Sequence, residues 1–98
     1  NYIDIGQDEG ATLETGGGPP SDPALADGYY IEPAVFTDVD NEMRIAREEI
    51  FGPVQTVQSF RTYDEAVAIA NDTEFGLAGG IVTESTSLAH RAAADIDA

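Results

Sequence analysis

The spacing of apolar and polar positions changes along the chain, and each change marks an expected element. The first ten residues, NYIDIGQDEG, are short and interrupted by Gly6 and Gly10, and they read as the tail of a helix whose start lies upstream. Ala11 to Glu14 carries enough β preference, from Thr12 and Leu13, for a short strand. Between Gly16 and Gly28 glycine and proline cluster (GGGPP, then SDP), which predicts an exposed loop. Tyr29 to Thr37 (YYIEPAVFT) is rich in aromatic and β-branched residues and predicts an extended segment. Pro33 has no amide to donate, so it belongs at an edge or a bulge.

The second half alternates more regularly. Asp40 and Asn41 are placed to cap a helical turn over Glu42 to Arg47. Gly52-Pro53 breaks the pattern, and Val54 to Phe60 (VQTVQSF) then reads as a strand. Thr62-Tyr63-Asp64-Glu65 fits a capping box, in which a hydroxyl and a carboxylate three residues apart satisfy free amides. Tyr63, Ala66, Val67 and Ala70 follow on one helical face, and Asn71 with Gly76 ends the run. Ala78 to Thr83 (AGGIVT) suits a short buried strand. Ser85 or Ser87 is the expected cap of a last helix, where Leu88, Ala92 and Ile96 recur every four residues. Strand, helix, strand, helix over residues 54 to 96 predicts an α/β arrangement with a mostly parallel sheet. No internal repeat is present.

Charge changes the picture of the surface. Nineteen acidic residues face four basic ones, all arginines, for a formal net charge of -15 over 98 residues. Such a surface repels nucleic acid phosphate and anionic lipid, so neither is an expected partner. The acids are dispersed, with Asp4, Asp22, Asp38, Asp64, Asp72 and Asp95 in different segments. That dispersion fits adaptation to high salt, where the Debye length falls to about 3 Å at 1 M and self-repulsion is screened. Cation binding is the competing explanation, but the ordered Asp/Asn/Gly spacing of a calcium loop is missing. Apolar content of 42% is high enough for a folded domain.

Several chemistries are excluded by composition. There is no cysteine, hence no disulfide, thiolate metal site or cysteine nucleophile among these residues. The single histidine, His90, cannot build a multi-histidine metal site, so no metal is expected. No apolar run approaches the roughly 18 residues of a membrane span and no signal sequence opens the chain, which predicts a cytoplasmic location. The chain starts at Asn1 and carries no boundary signal at either end, as expected of an internal piece of something longer.

Three stretches, in order and in register, resemble the aldehyde dehydrogenase superfamily: Gly28 to Val39 (GYYIEPAVFTDV), Met43 to Val54 (MRIAREEIFGPV), and Asn71 to Gly80 (NDTEFGLAGG) with Ile81-Val82-Thr83. The resemblance runs over nearly the whole chain, and Met43 to Val54 is its most specific part. It implies that residues 1–98 are a partial catalytic domain, incomplete at both ends, of the αβα type. It also implies a parent that oxidises a small aldehyde to a carboxylic acid with NAD or NADP and forms a homo-oligomer. Within the superfamily, Asn71 to Leu77 with Ala89-His90-Arg91 looks somewhat like betaine aldehyde dehydrogenases.

The family's cysteine thiolate attacks the aldehyde, so a chain without cysteine has no catalytic residue of its own and is expected to be inactive alone. What the resemblance leaves to this piece is placement of the cofactor. Glu49 matches the glutamate that hydrogen-bonds the ribose next to the nicotinamide, and Phe51 matches the aromatic residue that packs near that ribose. Leu77 resembles a position near the mouth of the substrate pocket. Each has a plainer reading: Glu48-Glu49 as an exposed acidic pair in an acidic chain, Phe51 as core, Leu77 as an ordinary core leucine. Glu48 is expected to be structural. Arg44 and Arg47 are expected to pair with nearby acids, His90 to lie on the surface, and Gly16 to Gly18 to lack the lysine and helix of a phosphate cradle. Outside the family, two further readings stand: a non-catalytic acidic binding module, or a truncated product with no function of its own.

Overall fold

The computed structural model describes residues 1–98, which divide into two compact units, Asn1–Ser59 and Phe60–Ala98. The first unit opens with helix α1 (Tyr2–Asp8), which carries its own start. The Asn1 side chain accepts the amides of Ile3 and Asp4, and the Asp4 carboxylate closes a capping box. Strand β1 (Thr12–Thr15) follows, and a single 3-10 turn (Pro23–Leu25) interrupts the expected loop. Strand β2 is Ala34–Thr37, a four-residue helix α2 is Arg44–Arg47, and strand β3 is Val54–Thr56.

The three strands form one sheet in the order β1-β2-β3, antiparallel between β1 and β2 and parallel between β2 and β3. The expected α/β class is therefore present, but the sheet is mixed, and only the β2–β3 pair is parallel. That pair needs a crossover, and α2 with its flanking turns supplies it. Pro33 sits just outside β2, so the extended segment expected from Tyr29 reaches the sheet only at Ala34, whose amide donates to Pro53 O at 2.8 Å. The strand expected from Val54 to Phe60 stops at Thr56 because β2 ends first. Asp38, with φ 54°, turns the chain away and leaves β3 without a neighbour beyond the Val57 amide bond to Phe36 O.

The core of this unit is built from α1, the sheet and α2. Phe36 is fully buried among Ile3, Ala11, Ala34, Val39 and Ile45, with Leu13, Met43, Ile50 and Val54 packed around it. Gly6 lets α1 come down on that cluster: a Cβ there would meet Ile45 Cδ1 and two Phe36 ring carbons at 3.0 Å. Glycine is needed again at Gly16, where φ is 70° and an added Cβ would lie 1.8 Å from Pro33 O. Its neighbour Gly17 donates to Glu32 O, and Glu32 donates to Gly18 O, so the glycine cluster serves close backbone approach.

The second unit holds helices α3 (Tyr63–Asn71) and α4 (Thr86–Asp95). Thr62 caps α3 by accepting the Glu65 amide, while the Glu65 carboxylate turns back to the amide of Arg61 and not to that of the cap, so the expected box is shifted by one residue. Ser85, of the two serines considered, caps α4. Asn71 ties the helix ends together, donating to Asp95 O and accepting the Asp97 amide, both at 2.9 Å. Tyr63 donates to Asp95, and Arg91 stacks 4.0 Å above the Tyr63 ring. Ala78 to Thr83 is not a strand. No other strand runs in this unit, so the β preference of Ile81, Val82 and Thr83 has nothing to pair with. No helix is long and apolar enough to cross a membrane.

Candidate functional site

The run Glu48 to Val54 leaves α2 in extended backbone and enters β3 without a helix or ladder of its own. Glu48 has φ -95° and ψ 147°, so side chains on either side of it alternate in direction. Glu48 and Ile50 face inward. The Glu48 carboxylate accepts from Tyr2 Oη at 2.6 Å, from Arg44 Nε at 2.7 Å and from Arg44 Nη2 at 3.1 Å. Ile50 packs against the core cluster. Two tight turns, Gly52 N to Ile50 O and Val54 N to Gly52 O, both 2.8 Å, then hand the chain into β3.

Glu49 and Phe51 take the other side. Glu49 is exposed and makes no hydrogen bond or ion pair within the chain. Phe51 is 92% exposed, so it is no part of this chain's core. A carboxylate with no partner in the chain can accept hydrogen bonds from a diol, and an uncovered aromatic face two residues on can pack against its ring. The inward pair has a different electrostatic character. The Arg44 fork, and then the Tyr2 hydroxyl, hold the Glu48 carboxyl at about 2, well below the ordinary value. The bond to Glu48 raises the Tyr2 phenol, because the carboxylate stabilises its protonated form, while Arg44 works the other way.

Leu77 lies in the second unit and is fully exposed, not a core leucine of this chain. It borders an open pocket of about 370 Å³ with Phe75, Gly76, Ala78 and Ile96. A neighbouring groove of about 430 Å³, lined by Phe60, Tyr63, Val67, Val82, Leu88 and Ala92, is more apolar. No group of histidine, cysteine or acidic side chains could hold a metal ion. Arg44 and Arg47 pair with Glu48 and Glu42 as expected, and His90 is on the surface.

Two contributors escaped the sequence. The expected Asp40/Asn41 cap on α2 is not formed: Asp40 accepts the Glu42 amide, two residues too early, and the N-cap of α2 is Met43. The Arg44 amide goes instead to both carboxylate oxygens of Glu9. Tyr2, likewise, reaches Glu48 from 46 positions away. No local spacing signals either contact.

The profile of the aldehyde dehydrogenase family matches residues 1–98. The chain is 53% identical over 98 residues to a betaine aldehyde dehydrogenase of Brucella anthropi, covering 100% of the chain and 20% of that protein. It is 50% identical over 97 residues to an alpha-ketoglutarate semialdehyde dehydrogenase of Haloferax volcanii, covering 99% of the chain and again 20% of the relative. Among solved structures, a betaine aldehyde dehydrogenase double mutant from Staphylococcus aureus in complex with NAD+ superposes with a TM-score of 0.94 at 44% identity, over 98% of this chain and 19% of that one. An aldehyde dehydrogenase of Mycobacterium tuberculosis complexed with NAD+ gives 0.89 at 46% identity, over 97% and 19%. The chain thus spans about a fifth of the length of the relatives it matches.

Proposed function

This chain belongs to the aldehyde dehydrogenase family, and from that membership we propose that it is the part of a longer NAD-dependent dehydrogenase that holds the nicotinamide ribose while a cysteine elsewhere performs the covalent step. The observation that carries the proposal is the outward pairing of Glu49 and Phe51 on a segment whose inward side chains are tied down. Relatives solved with NAD+ support that cofactor. The two relatives named above carry the names of different aldehydes at nearly equal identity, so the substrate class is an aldehyde.

NAD+, when bound, supplies the hydride acceptor. Glu49 accepts from the two ribose hydroxyls, a charge-assisted pair of bonds that fixes the ring's rotation. Phe51 covers the apolar side of the same sugar, and burying its face contributes about 1–2 kcal/mol. Holding the reacting ring within reach of the substrate carbon converts an encounter into a positioned reaction, an effect that lowers a barrier by several kcal/mol. For Leu77, in the second unit, the role proposed is the one the resemblance implies, an apolar residue near the mouth of the substrate pocket.

Titration of the full-length dehydrogenase with NAD+ tests the assignment. Glu49→Gln should raise Kd about tenfold, ~1.4 kcal/mol, because one charge-assisted acceptor is lost. An unchanged Kd would remove Glu49 from the site.

A further inference from the structure

The segment that carries Glu49 and Phe51 has almost no backbone support. Between Glu48 and Pro53 there is neither helix nor ladder: the Glu48 amide closes on Arg44 O and Pro53 O accepts from Ala34 at the two ends, and between them the backbone is closed only by the tight turns at Ile50 and Gly52. A stretch so lightly bonded keeps its direction only through side chains that reach back into the fold. Ile50 is one such anchor, packed against the core. Glu48 is the other, and it is the more directional of the two. Its two oxygens take three donors from two different elements, the Tyr2 hydroxyl on α1 and the Arg44 fork on α2. Because the backbone at Glu48 is extended, the direction of its side chain sets that of the next, on the opposite face.

We propose that Tyr2, Arg44 and Glu48 are positioning residues for the cofactor: by tying Glu48 to α1 and α2 they fix the outward face on which Glu49 and Phe51 meet the ribose. This rests on the ribose-binding role of Glu49. A simple exposed ion pair would contribute little, since solvent screens it and ordering two long side chains costs entropy. A bidentate fork closed by a phenol differs in geometry more than in strength, because three bonds leave the carboxylate one orientation. Glu48 also stays ionised throughout the range in which a dehydrogenase works, so the set does not come apart with ordinary changes in pH.

The experiment measures NAD+ Kd and aldehyde KM in the full-length dehydrogenase for Tyr2→Phe, Glu48→Gln, Glu49→Gln and the double variant Glu48→Gln/Glu49→Gln. We expect Glu48→Gln to raise Kd about tenfold and Tyr2→Phe about threefold, with aldehyde KM changed by less than about twofold. In the Glu49→Gln background, Glu48→Gln should add less than about a further twofold, since its effect passes through Glu49. A general loosening of the fold would weaken aldehyde and cofactor together and would add independently of Glu49. If Glu49→Gln raises Kd and Glu48→Gln does not, or if their effects simply add, the positioning role is overturned while the ribose contact stands. An inert Glu49→Gln overturns both. Should Glu48→Gln fail to fold, Tyr2→Phe removes a single hydroxyl and is judged alone and with Glu49→Gln by the same criteria.

Discussion

The carboxylate of Glu9 accepts the backbone N–H of Arg44 with both oxygens, at 3.0 and 2.9 Å, across 35 residues of chain. It does for α2 what a local cap does for most helices, but from the end of another helix. Met43, the residue at the cap position, has no side-chain acceptor to offer. Glu9→Ala should therefore cost about 1 kcal/mol, the usual loss when a capping acceptor is removed. Glu9→Gln, which keeps one oxygen, should cost less. Urea denaturation of the two variants provides the check, and equal midpoints for wild type and Glu9→Ala would show that the amide finds another partner.

Gly6 sets two effects against each other. Alanine in a helix interior is favoured over glycine by up to about 1 kcal/mol. Against this, the new methyl would press on Ile45 and Phe36, the tightest part of the core, and overpacking costs about 1–3 kcal/mol. Packing should win, so Gly6→Ala lowers the melting temperature despite its better propensity. A rise would mean that α1 can shift outward at little cost.

The Glu48 carboxyl titrates at about 2 in the folded chain against an ordinary 4.5. A depressed folded value means that its contribution is complete above 4.5, shrinks as pH falls from there, and is gone once pH passes below about 2. The stability gap between wild type and Glu48→Gln should therefore be constant near neutral pH and close across that acid window. A gap that persists unchanged to about pH 3 would separate Glu48 from its donors. On the alkaline side the sign reverses: the raised Tyr2 phenol contributes below its ordinary 10.0 and ceases to as pH climbs through the raised value.

With a net charge of -15 on 98 residues, self-repulsion opposes folding wherever it is unscreened. Raising salt from low to molar concentration should increase the melting temperature, by roughly 4–8 °C for each kcal/mol recovered in a chain this size. Thermal melts across a salt series decide it, and a flat or falling curve would leave the acidic surface without this role.

What the sequence made legible was whatever depends on neighbours. The caps at Thr62 and Ser85, the apolar face of α3, the loop from Gly16 and the break at Gly52-Pro53 all follow from residues within a turn of one another. Composition alone already puts Glu49 on the surface as one more acid, whereas it would bury Phe51, which stands exposed; only family resemblance singles the two out together. What stayed hidden depends on distant parts of the chain. Glu9 and Tyr2 lie far along the sequence from the residues they hold. The antiparallel β1–β2 pair was masked by a long irregular loop that separates its strands. Ala78 to Thr83 has the composition of a strand, and composition does not supply a pairing partner.

The uncovered side chains have a consequence for how copies of this chain behave together. In this chain taken by itself Tyr29, Phe51, Leu77 and Val82 are exposed, and such apolar surface favours contact between molecules. At low salt the uniform negative charge holds those molecules apart. The salt that steadies each copy also removes that barrier, so the gain in folding and the loss in colloidal stability come from the same screening.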